Sequence, residues 1–271
     1  MNRQALHIAF GSHQVAVYSE ASEVLDGVER RFGHMLAPEP ANVVRRLEVQ
    51  QDGQAYSLAG HAEGYVERGA LPDILRRLDY EVVLQLVEAR PDLLWFHAGA
   101  AACGGGAVMF LGMWGQGKST LVTSLYAQGW TYLSDDVVPL DPNSDRVIPF
   151  PQTPRVREDQ GQEMPRYRLR RLQKAEVALD PERVCREALS VRALIFPQYD
   201  PDAPADLKPC SPAAATLELL QHCINFTSHR GAAVRYLGDL ITRRPALRLS
   251  FSDGQQAASA VIQACQDWLQ T

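Results

Sequence analysis

Long hydrophobic runs are missing from this chain of 271 residues. Its most apolar stretch, Ala98 to Leu111, is interrupted by glycines and is too short to cross a bilayer as a helix. The first ten residues carry one arginine and no extended apolar core, so they do not read as a secretory signal. No membrane partner and a cytoplasmic location are the expectation. Cysteines at metal or redox spacing are absent too. Cys103, Cys185, Cys210, Cys223 and Cys265 form no C-x-x-C pair, and an odd set of scattered thiols reads as reduced cysteine. Each of the five can equally be a small buried hydrophobe. A basic excess is also lacking: Lys and Arg total 27 against 32 Asp and Glu, a formal net charge of −5. That excludes the electrostatic footprint of a nucleic-acid binder. Neither an internal repeat nor a low-complexity linker is visible. What remains is an ordinary globular composition, 46 % apolar and 22 % charged, long enough for one large domain or two modest ones.

The first 70 residues read as a small, strand-rich subdomain. Apolar residues alternate on both sides of Gly11-Ser12, and Val43 to Gln50 and Ala55 to Ala59 flank the turn signal Asp52-Gly53. Between them Val24, Leu25, Val28 and Phe32 have helical spacing. Residues 71–271 form the second expected domain. It opens on a long amphipathic helix, with Pro72 in its first turn and Pro91 beyond its end. Leu93 to Ala102 then reads as one buried strand, Gly104 to Gly106 as a turn, and Ala107 to Leu111 as a second strand. A helix follows from Lys118 to Gln128. Strands are expected at Trp130 to Leu133, Val137 to Leu140, Val191 to Phe196 and Ala246 to Phe251. Further helices are expected at Ala213 to Phe226 and Gly254 to Leu269, with a proline-rich loop at Asp200 to Pro212. Alternating strands and helices predict an α/β core.

Residues 112–119 read Gly-Met-Trp-Gly-Gln-Gly-Lys-Ser. This is the phosphate-loop pattern G-x-x-x-x-G-K-[ST]. Phosphate oxygens need several converging donors, so the backbone must turn its N–H groups inward, and glycine permits that turn. Gly112, Gly115 and Gly117 fill that role. The helix that begins at the loop adds its unpaired N–H groups and the positive end of its dipole. Lys118 is placed to neutralise the β- and γ-phosphates, and the hydroxyl of Ser119 to ligate Mg²⁺. Average residue usage makes a chance match in roughly one protein in a hundred of this length, and a strand before and a helix after lower that further. The competing reading is a glycine-rich turn without a ligand. Trp114, inside the loop, either covers a nucleotide or simply packs.

Asp135-Asp136 follows one strand–helix–strand unit later. One carboxylate there can hold Mg²⁺ and its neighbour can accept the proton of an attacking hydroxyl. Paired acids at a turn are common, so only the loop upstream gives this pair its meaning. His97 ends an apolar strand. It is either a satisfied core histidine or, carried by its hairpin toward the phosphate loop, a group that orients an acid or a phosphate.

Taken in this order, His97-Ala98-Gly99-Ala100, Gly112 to Thr120 and Leu133-Ser134-Asp135-Asp136 resemble the HPr kinase/phosphorylase family and its shorter relatives, including lasso-peptide tail kinases. Val147 to Pro151 and Leu194 to Pro197 are further echoes. The resemblance covers Leu93 to Pro151 well and thins out toward Leu269. It implies an α/β core similar to phosphoenolpyruvate carboxykinase, a P-loop kinase, with ATP and Mg²⁺ as its requirements. The resemblance places Asp136 as catalytic base, Asp135 beside Ser119 at the metal, and His97 in support of the aspartate. Gly112, Gly115, Gln116, Gly117, Lys118, Ser119 and Thr120 would hold the nucleotide. The acceptor it implies is a serine-type hydroxyl of a peptide or protein, such as a ribosomal peptide precursor. Relatives assemble as oligomers, so a homo-oligomer is expected. The phosphorylase segment of the family has no counterpart in this sequence, so the resemblance does not extend to phosphorolysis or to HPr as substrate.

Arg155, Arg157, Arg166, Arg168, Arg170, Arg171 and Lys174 form a local basic stretch. It is either a solvated loop or a clamp for phosphates or an acidic peptide. Two other functions stay open: the same transfer to a small molecule, such as an amino acid or a sugar, and a nucleotide switch without transfer. The D-x-x-G and N-K-x-D motifs of a GTPase are absent, as is a transporter-type L-S-G-G-Q signature.

Overall fold

The computed structural model of this protein describes residues 4–60, 65–157 and 174–269. Two compact units emerge, Met1–Pro91 and Asp92–Thr271.

Among the described residues the first unit carries strands β1 (Gln4–Phe10), β2 (His13–Ser19), β3 (Leu36–Ala37), β4 (Val43–Asp52), β5 (Ala55–Ala59) and β6 (Glu67–Gly69) in one sheet, ordered β3-β1-β2-β4-β5-β6. Helix α1 (Ser22–Phe32) crosses over between β2 and β4, which pair in parallel. Strand alternation buries Ile8, Phe10, Val15, Val17, Leu47, Val49 and Leu58. Helix α2 (Leu71–Ala89) places Ile74, Leu78, Val82 and Leu86 in the core at helical spacing. It packs on α1 and on β2, β4 and β5. The division read from the sequence at residue 70 assigns this helix to the second domain. In the structure it belongs to the first unit, because its apolar stripe covers that unit's sheet.

The second unit is a mixed α/β layer structure. Its strands are β7 (Leu94–Phe96), β8 (Ala98–Cys103), β9 (Gly106–Leu111), β10 (Thr131–Ser134), β11 (Val138–Asp141), β12 (Arg146–Val147), β13 (Arg155–Arg157), β14 (Lys174–Glu176), β15 (Leu189–Tyr199), β16 (Asp206–Pro209) and β17 (Ala246–Phe251). Among the described residues the helices are α3 (Lys118–Ala127), α4 (Pro212–His222), α5 (Phe226–Arg243) and α6 (Gly254–Leu269). The main sheet runs β10-β8-β9-β15-β12-β11-β7, with β17 and β16 continuing beyond β15. β9, β15 and β17 are parallel neighbours, and β8–β9 is an antiparallel hairpin. Both faces are buried, so successive residues of β9 serve opposite cores. Ala107, Met109 and Leu111 face the cluster built with α4 and α5. Val108 and Phe110 face the cluster built with α3 and α6. This explains why β9 reads as an unbroken apolar run rather than an alternating one.

Three sequence expectations change. The single strand expected over Leu93 to Ala102 is two strands, interrupted at His97: β7 pairs with β11, whereas β8 pairs with β9 and β10. The segment after the expected helix of residues 213–226 holds α5, whose polar, glycine-containing sequence hides four buried positions, Ala233, Leu237, Leu240 and Ile241. The loop of residues 200–212 contains the short strand β16, paired with β17.

Candidate phosphate-binding and acid site

Strand β9 ends at Leu111, in the middle of the sheet, and the chain turns there into the loop that starts α3. Gly117 has φ of +85°, a left-handed backbone that L-residues adopt only at a cost of about 1–2 kcal/mol. A Cβ at this position would also lie 2.5 Å from Cζ of Phe251. The loop thus rests directly on a ring from β17. At the start of the loop, a Cβ at Gly112 would lie 3.3 Å from the carbonyl oxygen of Pro197 in β15. Within the loop, Oε1 of Gln116 accepts from the Met113 N–H at 2.5 Å. The glycines and Gln116 that the motif singled out therefore shape a tight loop, with Thr120 exposed in the first turn of α3.

Lys118 is buried. Its ammonium donates to the carbonyls of Gly112 at 2.7 Å and Met113 at 3.2 Å, and meets His97 Nε2 at 3.2 Å. The other nitrogen of that imidazole, Nδ1, lies 2.9 Å from the backbone carbonyl oxygen of Asp136. A carbonyl only accepts, so Nδ1 carries the proton, and Nε2 is left with the lone pair that accepts from Lys118. The histidine is thereby held as the neutral Nδ1–H tautomer. One hydrogen-bonded line runs from the glycine-rich loop through His97 to the backbone of Asp136.

Backbone contacts fix His97 in that place. Its N–H donates to the carbonyl of His222 at 2.8 Å. Beside it, Ile224 N–H donates to Trp95 O at 2.6 Å, and Asn225 accepts from Trp95 N–H and donates to Leu93 O. Residues between α4 and α5 thus clip the free edge of β7. His222 itself is buried. Burial pushes its imidazole below the ordinary range, and the positive charge of Lys118 pushes it further, against an opposing pull from Glu218.

The two acids differ. Asp135 is fully buried and Asp136 half-buried. Asp136 has φ of +72°, an uncommon backbone for a residue with a Cβ, and one often found at functional sites. Ser134 anchors the turn, accepting at Oγ from the Phe150 N–H at 2.8 Å. A Cβ at Gly99 would lie 2.7 Å from Val122 Cγ2 and 3.6 Å from Asp135 Oδ1. The missing side chain at Gly99 lets β8 lie close against Val122 of α3, with Asp135 Oδ1 beside the same position. Among the described residues no three His, Cys, Asp or Glu side chains gather as a metal cage.

The basic stretch is only partly described. Arg155 lies in β13 opposite Glu176 of β14 and pairs with it at 3.0 Å. Arg166, Arg168, Arg170 and Arg171 lie outside the described residues. Sequence reading did not single out His222, Asn225 or Phe251, and no local pattern marks them, since each reaches the site through tertiary packing.

No protein-family model matches the chain, and no curated protein matches it. Among solved structures, the chain is similar to the Hpr(Ser) kinase/phosphatase from Coxiella burnetii, at 14 % identity and a TM-score of 0.33, over 64 % of this chain and 94 % of that one. A likeness this loose decides neither fold nor activity. No helix among the described residues is long and apolar enough to cross a membrane.

Proposed function

We propose that the protein is an ATP-dependent kinase that transfers the γ-phosphate to a serine-type hydroxyl of a peptide or protein. The observation that carries this reading is the line from Lys118 through His97 to Asp136, at 3.2 and 2.9 Å. It ties the loop lysine to the backbone carbonyl of a partly exposed aspartate, and phosphoryl transfer to a hydroxyl uses a lysine on the phosphates and an acid that takes the hydroxyl proton. The loop N–H groups and the N-terminal end of α3 cradle the phosphates. Lys118, whose ammonium is spent on loop carbonyls and His97, exchanges one of those partners for a phosphate oxygen. Asp136 takes the proton of the acceptor hydroxyl. The hydroxyl oxygen bonds to the γ-phosphorus as the bond to the β-phosphate oxygen breaks, and ADP leaves with the electron pair. Asp135 is too buried to meet a macromolecular acceptor, which leaves Asp136 as the base. Mg²⁺, held through Ser119 and Asp135, would neutralise charge on the phosphate oxygens.

The experiment is γ-labelled ATP with hydroxyl-bearing peptides, comparing wild type with Asp136→Asn. Loss of a general base lowers transfer by about 100-fold or more, while ATP affinity is retained. Equal labelling by the two proteins, or ATP binding by the wild type with no labelled acceptor, counts against the kinase reading. Labelling of a free amino acid or sugar instead of a peptide selects the small-molecule acceptor.

A further inference from the structure

The loop accounts for the phosphates of a nucleotide and leaves its base without a seat. The parallel strands β9, β15 and β17 are neighbours, with β15 and β17 running past the end of β9, and in open α/β sheets ligands lie across such carboxyl ends. The phosphate loop follows β9. The last residue of β15 is Tyr199, which keeps 42 % of its surface exposed, an unusual state for a large ring at the end of a buried central strand. Tyr199 is not loosely held. It meets Phe251 edge-on, with ring centroids 6.0 Å apart at 79°. Asp200, the next residue, donates its N–H to the carbonyl of Phe251 at 2.9 Å. Phe251 is the ring on which Gly117 rests, and Pro197, two residues before Tyr199, is the neighbour of Gly112. The two walls that shape the phosphate loop therefore also position this exposed ring beside it.

We infer that Tyr199 is the stacking platform for the nucleotide base, so that the site takes a nucleoside triphosphate rather than a bare polyphosphate. This rests on the phosphate-loop reading above. A purine ring placed on an exposed tyrosine gains dispersion and sheds water from both faces, and the edge-on contact with Phe251 holds the platform before the ligand arrives. Stacking of this kind, with no base edge read by hydrogen bonds, is tolerant of base identity. It sets a requirement for an aromatic base rather than for adenine alone.

The test compares ATP with inorganic tripolyphosphate, by calorimetric titration of the full chain as wild type, Tyr199→Ala and Tyr199→Phe. The expected result is ATP binding tighter than tripolyphosphate in the wild type. Tyr199→Ala loses about tenfold or more of the ATP affinity with tripolyphosphate affinity unchanged, and Tyr199→Phe behaves as wild type. Equal ATP affinity in wild type and Tyr199→Ala overturns the platform while leaving the phosphate loop intact. A parallel loss of tripolyphosphate binding in the alanine variant also overturns it, since the ring would then be only a support for the loop. Wild-type protein that binds neither compound overturns the phosphate-loop reading itself, and the platform with it.

Discussion

His97 offers a way to separate the two bonds of the relay. Replacing it by alanine removes the Nδ1–H bond to the Asp136 carbonyl and the Nε2 acceptor of Lys118 together. A bond of the first kind contributes about 1 kcal/mol net, and a charge-assisted bond of the second kind about 1.5–3 kcal/mol. Asp136 holds a left-handed backbone that costs about 1–2 kcal/mol, and losing its carbonyl partner frees the turn to relax and carry the carboxylate off line. A transition-state loss of about 1–3 kcal/mol corresponds to a fall in turnover of roughly 10- to 100-fold. Asparagine and glutamine divide that effect. Asparagine places an amide donor near the position of Nδ1 and keeps the Asp136 bond. Glutamine reaches the position of Nε2, offers Lys118 an acceptor, and loses the Asp136 bond. The assay is inorganic phosphate release from ATP, with water or a peptide as acceptor, alongside nucleotide affinity by titration. His97→Asn should recover most of the turnover and keep an altered ATP affinity, and His97→Gln should do the reverse. Identical behaviour of the two variants, or full activity in His97→Ala, would refute the relay.

Two further outcomes follow from the geometry. Gly117→Ala combines a left-handed alanine with a 2.5 Å encounter with Phe251, about 2–5 kcal/mol together; calorimetry should show a melting temperature lower by roughly 5–15 °C, and an unchanged melt would mean that the loop does not rest on that ring. The folded His222 imidazole binds its proton less readily than the unfolded one, because of burial first and the charge of Lys118 next, so stability is full above the ordinary histidine value of about 6.5 and falls as pH drops below it; urea titrations at pH 7.5 and 5.5 should show this loss in the wild type and a smaller one in His222→Gln, and equal losses would remove His222 as its source.

Much of the second unit was legible in the sequence because its information is local. The glycines of the loop, the helix it starts and the β8–β9 hairpin are all written in residue type at short spacing, and they stand where the pattern places them. The break at His97 was not legible, since Leu93 to Ala102 is apolar throughout and nothing in it says that the chain changes hydrogen-bonding partners midway. That change is made by residues 222–225, which supply the carbonyl and amide groups that β7 bonds at its edge. Helix α5 escaped for a related reason: its buried positions are few, and Gly231 and Gly238 dilute its helical signal. The first unit's boundary was missed because an amphipathic helix declares that it has an apolar face, and not which sheet that face will cover.

The glycine-rich loop, the lysine after it and the paired aspartates can be read from residue type alone, because a left-handed turn such as that at Gly117 needs glycine at a set position. Folding alone settles which aspartate is buried, which tautomer His97 holds, and that Phe251 lies against the loop with Tyr199 edge-on to it. Those are matters of burial and direction. They depend on strands that are distant in the chain and adjacent in the sheet.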